Sequence, residues 1–108
     1  MNWIPLTEMS QLDAIDLASE DQLQIIFKHS TRCSISSMVK SRLERSDEPE
    51  GMDFYYLDLI RYRSISNRIA EAYQVEHESP QVLLIRNGEC IYDESHSSIR
   101  MEELAEQN

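Results

Sequence analysis

Positions 23–36 carry the stretch LQIIFKHSTRCSIS, in which an apolar run is followed by a single cysteine and then by a helical pattern. The run from Gln22 to Lys28 is short, rich in Ile and Phe, and bounded by polar residues, as is typical of a buried β-strand. From Cys33 to Arg45 apolar residues recur at steps of three and four, the spacing of one helix face. The stretch therefore predicts a strand that delivers a cysteine to the beginning of a helix.

The rest of the chain shows the same two kinds of pattern. Apolar residues at helical spacing predict further helices, and short runs rich in β-branched and aromatic residues predict further strands. The Asn-Gly pair at positions 87–88 is the strongest short signal of a β-hairpin. The predicted elements are a helix over 6–20, the strand over 22–28, the helix over 33–45, a strand over 53–60, a helix over 64–73, strands over 81–86 and 89–93, and a helix over 97–107.

The order of these elements, α-β-α-β-α-β-β-α, predicts how the strands pair. A helix between two strands favours parallel pairing, whereas the final hairpin makes the last two strands antiparallel. The predicted fold is α/β, a three-layer α/β/α sandwich with a mixed central sheet of four to five strands. A chain of 108 residues is of the usual size for one domain, so we expect a single domain over 1–108.

Composition limits the partners. Asp and Glu outnumber Lys and Arg by 20 to 10, and the resulting net charge of -10 would repel phosphate backbones and anionic membrane surfaces. No apolar stretch approaches the roughly 20 residues that are needed to cross a bilayer, and the N-terminus does not resemble a signal peptide. We therefore expect a cytoplasmic protein that binds neither nucleic acid nor a membrane.

The chain has two cysteines and three histidines. Because structural disulfides are rare in a reducing cytoplasm, we expect Cys33 and Cys90 to be free thiols. Cys90 alternates with Ile91 on the predicted hairpin, which is typical of a packing residue. It could act as a resolving thiol only if its Cα lay within about 7 Å of that of Cys33. No His, Cys, Asp or Glu cluster has metal-ligand spacing, so we expect no metal site.

Cys33 is the candidate catalytic residue. The thiolate is the nucleophile in disulfide exchange, and a helix start favours it through free backbone N–H groups and the helix dipole. Arg32 adds a cation, and Thr31 is a reasonable cap for the helix. Ser36 lies about one helical turn further on, so its hydroxyl can donate to the thiolate. Since Ser36 is not a thiol, a mixed disulfide on Cys33 would have to wait for an external thiol.

Residues 27–36, FKHSTRCSIS, and the Ser79-Pro80 pair ahead of the Asn-Gly hairpin resemble known sequences. The element order, the cysteine at a strand-to-helix junction and the Ser-Pro resemble the thioredoxin-like fold over nearly the whole chain. Within that fold, FKHSTRCSIS resembles the monothiol bacilliredoxins of the YtxJ type, whose usual motif is Lys-His-Ser-Thr, any residue, Cys-Pro-Ile-Ser. The chain departs from the motif at Ser34, which replaces the proline and leaves an extra backbone donor near the sulfur.

This resemblance implies a monothiol thiol-disulfide oxidoreductase that removes bacillithiol from S-bacillithiolated proteins as a mixed disulfide on Cys33. The partners would be a low-molecular-weight thiol and S-thiolated proteins. Bacillithiol would be a co-substrate, and no cofactor would be tightly bound. The resemblance also places Pro80 in the thioredoxin cis-proline strand, where a cis bond would expose the backbone of Ser79 to a substrate beside Cys33.

Two alternatives stay open: a glutaredoxin-like monothiol protein that uses glutathione or another small thiol, and a non-enzymatic binding module of thioredoxin fold. No Asp or Glu lies between Leu23 and Arg32, so the buried carboxylate of dithiol thioredoxins has no counterpart on this strand. The Gly-Gly with which glutaredoxins hold glutathione is also missing after the hairpin. Both absences speak against a general dithiol reductase and weaken a glutathione-specific interpretation.

Overall fold

The protein was analysed as a computed structural model that describes every residue from Met1 to Asn108. Its core is a sheet of five strands with helices on both sides. A short 3₁₀ turn over His96–Ser98 precedes the last helix. The strands are β1 (Trp3–Pro5), β2 (Leu23–His29), β3 (Met52–Asp58), β4 (Gln81–Arg86) and β5 (Glu89–Ser95), and the helices are α1 (Gln11–Ala18), α2 (Ser34–Arg45), α3 (Arg63–Tyr73) and α4 (Met101–Glu106).

The strands lie in the order β1-β3-β2-β4-β5. β3 pairs in parallel with β1 and with β2, whereas β4 pairs antiparallel with β2 and with β5. The prediction of an α/β fold with a mixed sheet is confirmed. The expectation that every helical connection gives parallel strands is wrong for β4. After α3, residues 74–80 lead the chain back to the edge from which α3 started, so β4 enters the sheet in the opposite direction.

Three of the differences from the predicted elements have visible reasons. β1 was not predicted, because a three-residue edge strand that ends in Pro5 carries almost no alternation. The first helix begins at Gln11 rather than at Leu6, since the N–H of Leu6 donates to the carbonyl of Tyr56 and so continues the sheet. The last helix begins only at Met101, after the 3₁₀ turn.

The sheet separates two apolar layers, because successive side chains of a strand point to opposite faces. On one face Leu23, Ile25 and Phe27 of β2 pack with α2 and α4 in a cluster of 12 buried residues. On the other face Ile26 packs with α1 and α3 in a cluster of nine. Each large apolar side chain buried in these layers contributes about 1.5–3 kcal/mol relative to exposure. The α/β/α layering is therefore as predicted.

Strand β2 occupies the centre of the sheet and carries the site at its carboxyl end. All seven of its residues are buried, including the polar residues Gln24, Lys28 and His29. Strands on both sides hold its backbone, so its end is a rigid base for the loop that follows. None of the helices combines the length and the apolar character that a membrane span requires. No group of three or more His, Cys, Asp or Glu residues is arranged to hold a metal ion.

Candidate active site

Cys33 is the N-cap residue of α2, immediately before the first helical residue, Ser34. Its backbone is extended, with φ -111° and ψ 120°, and its N–H donates to the carbonyl of Ser30 over 3.2 Å. Its carbonyl accepts the N–H of Ser37 and so begins the helical hydrogen bonds. The thiol is free and partly exposed. Strand, turn and helix therefore present this sulfur at the place where the sequence predicted it.

No side chain caps the beginning of α2. The prediction of Thr31 as the cap is wrong, because Thr31 lies in the turn two residues before the N-cap and its side chain is exposed. Arg32 is exposed as well, and only its backbone N–H is fixed, by a 3.4 Å hydrogen bond to the hydroxyl of Ser30. Ser34, unlike the proline of the family motif, has an N–H of its own in this first turn. The backbone donors of the turn are therefore free to face a negatively charged sulfur.

The hydroxyl of Ser36 has partners other than Cys33. Ser36 is fully buried, its oxygen accepts the N–H of Ser30 over 3.1 Å, and it lies 2.7 Å from Nδ1 of His29. A hydroxyl has a single proton, and His29 offers the only acceptor in this pair of contacts, so the Ser36 O–H donates to Nδ1. The expected hydrogen bond from Ser36 to the Cys33 sulfur is absent, since the side chain turns towards β2 instead of along the helix.

His29 joins the active-site helix to the sheet. Its ring is only 5% exposed and packs between Phe27 and Tyr56, with centroid distances of 5.9 and 5.6 Å. Burial lowers the pKa of His29 below its ordinary value, and the positive charge of Lys40 acts in the same direction. The ring is therefore neutral at neutral pH, as its role as acceptor for Ser36 requires. The Lys-His-Ser motif was the signal in the sequence that could have pointed to this contact.

Ser79 and Pro80 lie at the same edge of the sheet as the Cys33 loop. Gln81, the first residue of β4, is in register with Lys28, so the two preceding residues extend beyond this edge next to the end of β2. The Ser79–Pro80 peptide bond is cis. Pro80 is buried, its carbonyl accepts the N–H of His96, and the hydroxyl of Ser79 has no partner within the protein.

The comparisons with known proteins agree with this geometry. A family model described as monothiol bacilliredoxin BrxC matches residues 4–104. The chain belongs to the monothiol bacilliredoxin family. A solved structure described as a candidate oxidoreductase with a thioredoxin fold shares 31% identity and a TM-score of 0.83, over 96% of this chain and 91% of the other. This bacilliredoxin is therefore a thiol-disulfide oxidoreductase, and the resemblance found in its sequence is confirmed.

More distant relatives show the fold alone. Thioredoxin from Malassezia sympodialis has 17% identity and a TM-score of 0.76, over 99% of this chain and 87% of the other. Thioredoxin from Fasciola hepatica has 16% identity and a TM-score of 0.73, over 95% of this chain and 93% of the other. The predicted thioredoxin-like architecture is confirmed.

Cys90, the second thiol of the bacilliredoxin, lies at the other end of the sheet. It pairs with Ile85, which pairs with Gln24, five residues before His29. At about 3.3 Å per residue, this places Cys90 about 16 Å from the end of β2. Its thiol is half-buried and donates to the carbonyl of Tyr92. The separation is much larger than the roughly 7 Å that a disulfide allows, so Cys90 is not positioned to resolve a disulfide on Cys33.

Lys28 is a further polar residue that sequence reasoning did not single out. Its side chain is fully buried on the α3 side of the sheet, where Nζ donates to the carbonyl of Ser66 over 3.1 Å and lies 3.4 Å from Nδ1 of His77. No carboxylate neutralises it. Burial therefore lowers the pKa of Lys28 from 10.5 to about 8. A lysine within an otherwise apolar strand pattern was the signal that could have drawn attention to it.

The active site is an open surface. The two cavities of the molecule, each about 390 Å³, flank the Asn87-Gly88 turn at the end of the sheet away from Cys33. One partly exposed thiol at an uncapped helix start, with no second thiol within reach, can attack a disulfide but cannot release the product internally. Such an arrangement suits the transfer of a thiol group between partners.

Proposed function

We propose that this bacilliredoxin removes bacillithiol from S-bacillithiolated proteins by accepting it on Cys33. The Cys33 thiolate would attack the bacillithiol sulfur of the protein mixed disulfide. A new S–S bond then forms between Cys33 and bacillithiol as the old one breaks, and the substrate protein leaves as a thiolate that water protonates. The observation that supports this most strongly is the isolation of Cys33, with Ser36 at the position of a second cysteine and Cys90 at the far end of the sheet.

The remaining site residues have proposed supporting roles. Arg32 favours the thiolate by its positive charge, and the free backbone N–H groups of the first turn favour it by their partial positive charge. Thr31 lies in the turn that leads to these groups. Ser36 acts through its contacts with His29 and Ser30, which hold the start of α2 against β2. The backbone of Ser79, exposed by the cis bond to Pro80, offers hydrogen bonds to the extended chain of a substrate.

Turnover requires a second thiol from outside the protein. A free small thiol would attack the Cys33 mixed disulfide, regenerate the Cys33 thiolate and leave as a low-molecular-weight disulfide, so that the number of S–S bonds stays constant. Both thiols of the chain are free, and this mechanism needs a compartment that keeps them reduced. We therefore propose a cytoplasmic location.

Transfer to Cys33 can be tested directly. A model protein that carries one S-bacillithiolated cysteine is incubated with the reduced bacilliredoxin, and intact-mass spectrometry follows both chains. We expect the substrate to lose one bacillithiol and the bacilliredoxin to gain one, with the adduct on the Cys33 peptide. The Cys90→Ser variant should behave as the wild type does, and Cys33→Ser should not accept the group. A wild-type protein that gains no adduct would contradict the proposal.

The identity of the small thiol needs a parallel experiment. The reduced protein is mixed with oxidised bacillithiol or with oxidised glutathione under the same conditions, and the rate of adduct formation on Cys33 is compared. Faster reaction with bacillithiol supports the proposal. Equal or faster reaction with glutathione would support the glutaredoxin-like alternative instead.

A further inference from the structure

Basic residues are distributed unevenly along the chain. Residues 22–43, which include the active-site loop, contain four Lys or Arg and no Asp or Glu. Residues 59–70, which follow β3, contain three Arg and again no acidic residue. The chain as a whole has a net charge of -10. Two acid-free segments therefore stand out in a strongly acidic protein.

The fold brings these two segments to one edge of the sheet. β2 and β3 are parallel neighbours, and their last residues, His29 and Asp58, lie side by side in register. The chain leaves both strands at this edge, and the N–H of Leu59 donates to the carbonyl of His29 over 3.0 Å. The loop between β3 and α3 therefore lies beside the loop that holds Cys33.

Three arginines are exposed here: Arg32 and Arg61 in these loops and Arg63 at the first position of α3. Their guanidinium groups make no hydrogen bond within the protein, and none of the three arginines takes part in an ion pair. The guanidinium of Arg61 lies over the ring of Tyr62, 5.4 Å from its centroid, which limits its freedom without neutralising its charge. The positive charge of this edge is thus available to an external anion.

Two acidic residues near this edge have contacts of their own. The carboxylate of Asp58 accepts two backbone N–H groups of the turn that follows it, each over 3.2 Å, and Oε2 of Glu78 lies 3.3 Å from Nε2 of His96, which follows β5. Burial lowers the pKa of His77, and the positive charges of Lys28 and Arg63 act in the same direction. Along the chain, the unpaired arginines stand at the residue before Cys33 and at the beginning of α3.

We propose that Arg32, Arg61 and Arg63 form an anion-recognition surface that selects, for reaction at Cys33, disulfides whose small-thiol half carries carboxylates. The inference rests on the proposed function, in which Cys33 accepts a small thiol. In an acidic protein, a local cationic surface raises the concentration of anionic reactants at the site. Guanidinium groups also bind carboxylates through paired hydrogen bonds and so hold the small thiol while its sulfur is attacked.

The test uses the charge of simple disulfides. In a Cys90→Ser background, the rate constant of adduct formation on Cys33 is measured with dithiodiglycolate, which is anionic, and with 2-hydroxyethyl disulfide, which is neutral. We expect Arg61→Gln/Arg63→Gln to lower the anionic-to-neutral rate ratio about threefold to tenfold at low salt. The intrinsic reactivity of each disulfide cancels when the variant is compared with its parent. The difference should shrink at about 0.5 M salt, where the screening length is below about 5 Å.

Two matched variants locate the effect. Arg45→Gln/Arg86→Gln removes the same charge from the last turn of α2 and from the far end of β4 and should leave the ratio unchanged. Arg61→Lys/Arg63→Lys keeps the charge and should retain most of the anionic-to-neutral rate ratio of the parent. An unchanged ratio in the Gln pair, or an equal fall in the distant pair, would overturn the inference. Because these probes contain no bacillithiol, a protein that shows the selectivity but takes no bacillithiol from proteins would contradict only the proposed function.

Discussion

At the scale of single residues, the contact between Ser36 and His29 is the feature that the sequence did not reveal. Helical spacing indicates which side chains of one helix are neighbours, and it correctly placed Ser36 one turn from Cys33. Which partner the hydroxyl takes depends on how α2 packs on β2, and that is set by tertiary structure. The motif was therefore sufficient to predict where Cys33 and Ser36 lie, but the link from Ser36 to the sheet required the fold.

Replacing Ser36 by Ala should destabilise the protein more than it changes the thiol. The substitution leaves Nδ1 of His29 and the N–H of Ser30 without partners near a buried site, which costs about 1–3 kcal/mol. Urea unfolding measures this loss. Ser37→Ala, at an exposed position on the same helix turn, is the control and should change stability by less than about 0.5 kcal/mol. Equal stability of the two variants would contradict a structural role for the Ser36 hydroxyl.

The buried ammonium of Lys28 predicts an unusual pH dependence of stability. Its pKa is lowered from 10.5 in the unfolded chain to about 8 in the fold, so at neutral pH its burial costs up to about 3 kcal/mol. Between pH 8 and 10.5 the unfolded chain keeps a proton that the folded chain has lost. The contribution of Lys28 to stability therefore rises with pH through this window.

Lys28→Met isolates this effect, because it keeps most of the aliphatic stem and removes the charge. We expect the variant to be more stable than the wild type at pH 7, and the advantage to shrink towards pH 10.5. Urea unfolding at several pH values measures the free energy of unfolding of both proteins. The titration of other groups is common to both, so it cancels in the difference between them. Lys40→Met, at a partly exposed site, should show no such trend. An advantage that does not change with pH would show that the charge of Lys28 is not costly in the fold.

At the scale of elements, local patterns located the long strands and helices, and failed where distant contacts decide. The direction of β4 depends on the path of residues 74–80, which has no periodic signal. The late start of α4 depends on Arg42 of α2, whose guanidinium donates to the carbonyls of Ser97 and Ile99. These carbonyls could otherwise accept helical hydrogen bonds, so the contact keeps the segment before α4 out of the helix.

Arg42 therefore predicts how firmly α4 is attached. Arg42→Gln should destabilise the protein by about 1–3 kcal/mol, since two backbone carbonyls lose a charged donor. Hydrogen exchange of the amides of α4 should become faster than that of β2. Arg45→Gln changes the same charge on the same helix, where the guanidinium contacts only Ser41, and serves as the control. Similar α4 exchange in both variants would contradict the assigned role.

At the scale of the whole molecule, the two thiols are separated both along the sheet and across it. Cys33 lies at the carboxyl end of β2 on an uncapped helix start, whereas Cys90 lies at the other end among residues that pack with α1 and α3. Burial raises the pKa of the Cys90 thiol, so little of it is thiolate at neutral pH. The sequence contained both cysteines, but their opposite environments follow from the register of five strands.

This separation predicts selective alkylation. With limiting iodoacetamide at pH 7, Cys33 should be modified at least about tenfold faster than Cys90, because thiolate character and exposure govern the rate. Peptide mapping by mass spectrometry over time measures both rates in one sample. In urea the two rates should converge, since unfolding removes the burial of Cys90 and the helix start at Cys33 together. Equal rates in the folded protein would mean that the fold does not distinguish its two thiols, and the assignment of Cys33 as the sole reacting sulfur would then fail.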